Sequence, residues 1–133
     1  MKPWAPASMN PMTSTLALAC DLIRCPSVTP ADAGCLNLLG ARLAVDHLVQ
    51  RGRTRIAHIS GPMDMVAGRD RLSGYRQGLA AAGLDDGVDR VANGDFSQHS
   101  GETAMRELLA RCPDLDAVFC ANDLTAIGAI DTA

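Results

Sequence analysis

The chain contains 133 residues, with 15 acidic and 12 basic side chains and a formal net charge of −3. This acidic balance excludes a protein that binds nucleic acid through its bulk charge. Hydrophobic residues make up 47% of the chain and charged residues 20%, which is typical of a globular domain and excludes a largely disordered chain. Aromatic residues are only 3%, so the core must be built from aliphatic side chains and alanine.

The five cysteines form no Cys-x-x-Cys pair, and an odd number cannot all pair within one chain. This use of cysteine is typical of a reducing cytoplasm. The three histidines, His47, His58 and His99, lie far apart, so the sequence predicts no metal site and no cofactor. No segment approaches the roughly 18 apolar residues of a membrane span. Residues 16–20 faintly resemble a lipoprotein cleavage site, but no positive cluster precedes them.

The prolines divide the first part of the chain. Residues 1–12 hold three prolines and no periodicity, which predicts a disordered lead outside the compact body. Apolar residues at helical spacing follow from Thr13, and Pro26 ends this pattern because it disfavours helical geometry at the residue before it. A second helix is predicted from about Asp32, a suitable N-cap, to about Gln50, where a glycine follows.

From Gly52 onward, short apolar runs alternate with segments of helical periodicity. Strands are predicted at residues 55–60, 88–92 and 115–120, each followed by a helix. This alternation predicts an α/β fold with a doubly wound parallel sheet and right-handed crossovers. The last helical pattern reaches Ala133 without a cap. We therefore expect an incomplete sheet of three strands, with the preceding helices as an N-terminal helical extension.

Five motifs occur in the same order as in one family of bacterial regulators. They are GARLAVDHL at 40–48, RIAHISGP at 55–62, RDRLSGY at 69–75, GDF at 94–96 and DAVFCAND at 116–123. This series resembles the sensor domain of the lactose/galactose-repressor (LacI/GalR) family of transcription regulators over about residues 40–133. The resemblance implies a periplasmic-binding-protein-like lobe in which the first strand lies between the other two.

The implied order of strands predicts an effector site at their carboxyl ends, where the loops after the first and third strands face one crevice. Arg71, expected to begin a helix there, offers a fork of donors suited to hydroxyls or a carboxylate. Asn122 can bond ring hydroxyls, and Asp123 is either a ligand contact or the N-cap of the last helix. Phe96 either offers an apolar face to the effector or packs in the core. His58, on a buried strand, is predicted to be a core histidine with its hydrogen bonds satisfied.

Residues 13–39 do not fit the repressor family. With TLALACDLIR at 15–24 and PSVTPADAGC at 26–35, they resemble the amino terminus of the succinyl-diaminopimelate desuccinylase family of zinc amidohydrolases. The stretch 39–44 is compatible with both families, so we infer a junction there, produced by recombination, gene decay or an assembly error. The zinc ligands of the hydrolase family lie downstream of the segment it shares with this chain. The resemblance therefore implies neither a metal site nor catalysis.

Three functions remain open, and none of them is an enzyme. The favoured one is a truncated effector-sensing lobe of a repressor-family regulator, cytoplasmic, without its own DNA-binding domain and without direct contact to nucleic acid or membrane. The second is a non-catalytic fragment of the amidohydrolase. The third is an interaction module that completes its sheet on another chain, which would allow a homo-oligomer through the open sheet edge.

The resemblance also implies the chemistry of the effector. A sugar or sugar phosphate suits the hydrogen-bonding groups of Arg71 and Asn122. In the repressor family the effector is held between two lobes, and one lobe alone leaves a face of the ligand in water. We therefore expect weak or absent binding by this chain.

Overall fold

The computed structural model describes residues 18–19, 35–85 and 87–133 of the chain. The predicted lead at residues 1–12 and the predicted N-cap Asp32 lie outside these ranges. Of the predicted first helix, only Leu18 and Ala19 are described, and both are helical.

Helices and strands alternate through the described part of the chain from residue 35 onward. Helix α1 spans Cys35–Gln50, strand β1 Ile56–Ser60, helix α2 Val66–Ala81, strand β2 Val91–Asn93, helix α3 Gln98–Arg111, strand β3 Ala117–Cys120 and helix α4 Asp123–Thr132. The strands form one parallel, three-stranded sheet in the order β2-β1-β3. The predicted α/β architecture and the central position of the first strand are therefore confirmed.

Helices cover both faces of this sheet. The core under α1 and α2 contains Val45, Ile56, Tyr75 and Leu79. The core on the opposite face, under α3 and α4, contains Ala57, Ile59, Ala92, Ala104, Met105, Leu108 and Ala129. All of β1 is buried, as expected for a central parallel strand. The Tyr75 hydroxyl donates to the Ile56 carbonyl (2.6 Å) and ties α2 to β1. Among the described residues, no helix has the length and hydropathy needed to cross a bilayer.

Glycines allow the helices on each face to approach closely. A Cβ at Gly74 of α2 would lie 2.5 Å from the Ala41 side chain of α1. On the opposite face, a Cβ at Gly101 of α3 would overlap the Thr125 carbonyl oxygen of α4. Side chains at Gly74 and Gly101 would therefore force the helices of each pair apart.

The second strand begins later than predicted. Val88–Arg90 forms a 3-10 turn after Gly87, whose φ of 64° is left-handed. The Arg90 N–H donates to the Gly87 carbonyl, and the buried Arg90 side chain donates to the Ile56 carbonyl (3.3 Å) and pairs with Asp85. These bonds hold the turn in place, so regular pairing starts after it.

The first and third strands are also shorter than predicted at their amino ends. The Asp116 carboxylate accepts hydrogen bonds from the main-chain N–H groups of Thr54 and Arg55, each at 3.0 Å. Because a side chain satisfies these donors, regular pairing of β1 with β3 begins at Ile56 and Ala117.

His58 lies in the centre of the sheet, so its predicted burial in the core is confirmed, but only one of its two ring nitrogens is satisfied in the described structure. The imidazole is fully buried and stacks between Tyr75 and Phe119, with ring centroids 5.1 and 4.8 Å away. Nδ1 donates to the Phe119 carbonyl (2.8 Å), whereas Nε2 is buried without a hydrogen-bond partner in the described structure. Burial lowers the pKa of His58 from 6.5 to about 4, so the ring is neutral.

Candidate functional site

The carboxyl ends of the three strands meet at one edge of the sheet. Main-chain hydrogen bonds continue beyond the strands there, from the Gly94 N–H to the Ser60 carbonyl (2.8 Å) and from the Ala121 N–H to the Ile59 carbonyl (3.0 Å). These bonds hold the loops after β1, β2 and β3 close together. The side chains predicted to form a site lie on these loops or on the helices that follow them.

Arg71 lies in the second turn of α2. The prediction that it begins the helix is wrong. The helix starts earlier because the Arg69 N–H already bonds to the carbonyl of Met65, the N-cap residue. Arg71 Nη1 donates to the Ala121 carbonyl (2.8 Å). Its guanidinium carbon lies 5.4 Å from the centroid of the Phe96 ring, within range of cation–π attraction. Arg71 therefore connects α2 to the loops after β2 and β3.

Phe96 adopts a backbone conformation that is rare for residues with a side chain. Its φ of 72° is left-handed, and no other non-glycine residue of the described structure has a positive φ. The ring packs on Gly61, where a Cβ would overlap two ring atoms. The residue is nevertheless only half-buried. Both alternatives weighed for Phe96 thus have support, because the ring packs and still offers accessible surface.

Asn122 is the N-cap of α4, a role that had been considered for Asp123. Its Oδ1 accepts from the Thr125 N–H (3.0 Å), and its Nδ2 donates to the Phe96 carbonyl (2.9 Å). Asn122 caps because its extended backbone, with φ −153° and ψ 178°, directs the side chain towards the first turn. The interpretation of Asp123 as the cap is wrong. Asp123 is the first residue of the helix, is exposed, and carries a charge that favours this end of the helix dipole.

Sequence reasoning missed two residues of this edge. Gly61 provides the space for the Phe96 ring, although in the sequence it stands out only as part of the motif at 55–62. Ala121 accepts a hydrogen bond from Arg71 through its main-chain carbonyl. Every residue type has this group, so the sequence does not distinguish the position. The sequence signal for Gly61 was its position directly after a buried strand, where backbone and side chains approach each other.

The electrostatics of the site are those of a cation beside an aromatic ring. In the described residues, no carboxylate lies within salt-bridge distance of Arg71. Asp95 lies next to the ring in sequence, and hydrogen bonds from the Ser97 side chain and main chain lower the pKa of Asp95 below 3.8, so it is ionised at neutral pH. No group of three or more His, Cys, Asp or Glu residues in this part of the chain could hold a metal ion. The arrangement offers hydrogen-bond donors beside an accessible aromatic face.

The chain matches a known protein family. A family model described as periplasmic binding proteins and the sugar-binding domain of the LacI family matches residues 24–133. The chain belongs to this family.

Curated LacI-family relatives include several bacterial regulators. The HTH-type transcriptional regulator CelR of Thermobifida fusca is 52% identical over 94 residues, which cover 71% of this chain and 28% of CelR. The ribose operon repressor of Escherichia coli K12 is 45% identical over 92 residues, or 69% of this chain and 28% of the repressor. The chain thus spans about 28% of the length of these relatives.

Solved LacI-family structures share the fold. The CelR–cellobiose complex has a TM-score of 0.71 and 51% identity, and the match covers 72% of this chain and 29% of that one. The Escherichia coli repressor ascG has a TM-score of 0.69 and 32% identity, covering 72% of this chain and 35% of that one. The resemblance to LacI/GalR sensor domains and the periplasmic-binding-protein-like fold are confirmed.

Proposed function

We propose that the chain is a lobe of the effector-sensing domain of a LacI-family transcription regulator, and that its site binds a sugar or sugar phosphate. The observation that carries this proposal is the direct linkage of Arg71, Phe96 and Asn122 at the carboxyl edge of the sheet. The relative CelR, solved with cellobiose, supports the sugar class.

The chemistry of a sugar fits these groups. A sugar ring has an apolar face of C–H groups and a rim of hydroxyls. The Phe96 ring can pack against the apolar face of the sugar. Arg71 has five N–H donors, and the Ala121 carbonyl accepts a hydrogen bond from one of its nitrogens, Nη1. A phosphate would also be recognised by the guanidinium fork. Asp123, exposed beside the cap, is placed to accept hydrogen bonds from hydroxyls.

The proposal assigns recognition rather than catalysis to the chain. Its site combines a donor, an aromatic face and an amide, without a nucleophile and base in contact among the described residues. The relatives are regulators, and we place the protein in the cytoplasm, where it would sense a small molecule. Contact with nucleic acid is not assigned to this lobe.

The test is calorimetric titration of the purified chain with cellobiose, ribose and ribose 5-phosphate. We expect weak binding, since a single lobe leaves one face of the ligand in water. Arg71→Ala should weaken it at least about tenfold, equivalent to about 1.4 kcal/mol. Arg76→Ala is the matched control, because it removes the same charge from an exposed position of the same helix.

Two results would contradict the proposal. Tight binding that is unchanged by Arg71→Ala and Asn122→Ala would place the site elsewhere. A panel of sugars that leaves the NMR signals of Arg71 and Phe96 unshifted at the highest soluble concentrations would exclude the sugar class.

A further inference from the structure

The backbone of Phe96 needs support from its surroundings. A phenylalanine with φ 72° crowds its own Cβ against the main chain, so the conformation persists only where neighbouring groups hold it. In the described structure, the Phe96 carbonyl accepts one hydrogen bond, from Asn122 Nδ2 at 2.9 Å. The donor lies 26 positions further along the chain, at the N-cap of α4.

The amide of Asn122 is oriented from both of its ends. The Thr125 N–H requires an acceptor, which fixes Oδ1, and the Phe96 carbonyl requires a donor, which fixes Nδ2. Asp or Ser at this position could cap the helix but could not donate to the Phe96 carbonyl in the same way. The chemistry of the position therefore demands more than a helix cap.

The ring that this bond supports has two further contacts. Gly61 lies against one part of it, and the Arg71 guanidinium lies over it. A change in the backbone of Phe96 would move the ring relative to both neighbours. We propose that Asn122 is a positioning residue that holds the Phe96 ring against Gly61 and Arg71, so that ligand binding depends on Asn122 through the ring.

The first experiment needs no ligand. The nuclear Overhauser effect between the Phe96 ring protons and the Gly61 Hα protons is measured in the full chain, in Asn122→Ser and in Asn122→Asp. Both variants retain an oxygen that can cap α4, so the melting temperature should stay close to that of the parent. Neither can replace the bond to Phe96, because the Asp carboxylate has no donor and the Ser hydroxyl ends one bond short of the position of Nδ2. We expect the contact to be present in the parent and lost in both variants.

Asp131→Asn is the control, since it exchanges a carboxylate for an amide at the exposed far end of the same helix. It should leave the contact unchanged. Persistence of the Phe96–Gly61 contact in both Asn122 variants would overturn the proposal, whatever the chain binds.

The second experiment rests on the proposed function and uses cellobiose as the probe. Asn122→Ser and Phe96→Ala should each weaken binding by a similar factor, about tenfold, and the double variant should be no weaker than Phe96→Ala alone. Multiplied effects in the double variant would show that Asn122 acts independently of the ring and would overturn the proposal. If the parent binds no sugar, the proposed function fails, while the ligand-free measurement still decides the role of Asn122.

Discussion

Among single residues, His58 ties the stability of the fold to pH. The imidazole is neutral in the core, where burial lowers its pKa to about 4, and the positive charges of Arg76 and Arg71 act in the same direction. The unfolded chain, with a histidine pKa near 6.5, binds the proton more readily. The stabilisation from this group is therefore fully present above about pH 6.5 and is lost as the pH falls towards about 4.

We expect the free energy of unfolding to fall by about 2 kcal/mol between about pH 7 and about pH 5 because of this one group. His58→Gln, which stays neutral at every pH, should remove that part of the pH dependence. Urea unfolding of both proteins at the two pH values measures it, and the carboxylates common to both proteins cancel in the comparison. Equal pH dependence in the two proteins would show that His58 is not the group responsible.

Among the helices, replacing a glycine by alanine is expected to have opposite effects on stability at two positions. A Cβ at Gly40 of α1 would meet nothing within 4 Å, whereas one at Gly101 of α3 would overlap the Thr125 carbonyl of α4. Gly40→Ala should stabilise the chain by about 0.5–1 kcal/mol, because it restricts the unfolded backbone. Gly101→Ala should destabilise it by about 1–3 kcal/mol, because the helices must separate. Urea midpoints measure both, and stabilisation by Gly101→Ala would contradict the close helix crossing.

The sequence predicted the elements but not their ends. The central run at 56–60 is apolar and buried on both faces, so its period and composition identify it. The ends of the strands depend on contacts between distant residues. Asp116 reaches Thr54 and Arg55, and Arg90 reaches Ile56, which local patterns do not contain.

For the site, the sequence and the family resemblance selected Arg71, Phe96 and Asn122, and the structure brings these three together. The resemblance carried this prediction, since residue type alone would not join positions 71, 96 and 122. It could not reveal the left-handed backbone of Phe96 or the two-sided bonding of Asn122. Both depend on how two loops meet, and their roles in binding remain predictions.

In the whole molecule, β3 lies at an edge of the sheet. It pairs with β1 on one side, and nothing in the described residues pairs with its other side. Its residues are half-buried, in contrast to the fully buried β1. A cleft of about 390 Å³ lies beside β3 and is lined by residues of α1, β3 and the start of α4. An exposed edge of this kind is a template for a further strand.

We therefore expect a second copy of the chain to pair through β3. Sedimentation velocity of the purified chain should show association that increases with concentration. Val118→Lys should abolish it, because a charge on an edge strand opposes pairing, while Leu109→Lys, on an exposed part of α3, should not. Val118 also packs against the core under α3 and α4, so the urea midpoint of the variant is measured beside its association. Circular dichroism checks that both variants fold. A parent chain that stays monomeric at about 100 μM would contradict this expectation, since such pairing should be populated there.

The division of the chain into 1–12, 13–39 and 40–133 remains a prediction. Helix α1 runs without interruption through residues 39–44, where the junction was inferred. The family model begins its match at residue 24. This match includes residues 24–39, which the division assigns to the desuccinylase-like segment, so it does not support a boundary at residue 39.

The ultraviolet absorbance of the one tyrosine depends on whether the chain is folded. Tyr75 is the one tyrosine in the sequence, and it lies fully buried between α2 and β1. Burial raises the pKa of Tyr75 from 10.0 to about 12. A phenolate absorbs at longer ultraviolet wavelengths than the neutral phenol, so between about pH 10 and about pH 12 an unfolded chain has ionised its tyrosine while a folded one has not. The change in absorbance of this single unlabelled ring therefore distinguishes folded from unfolded molecules.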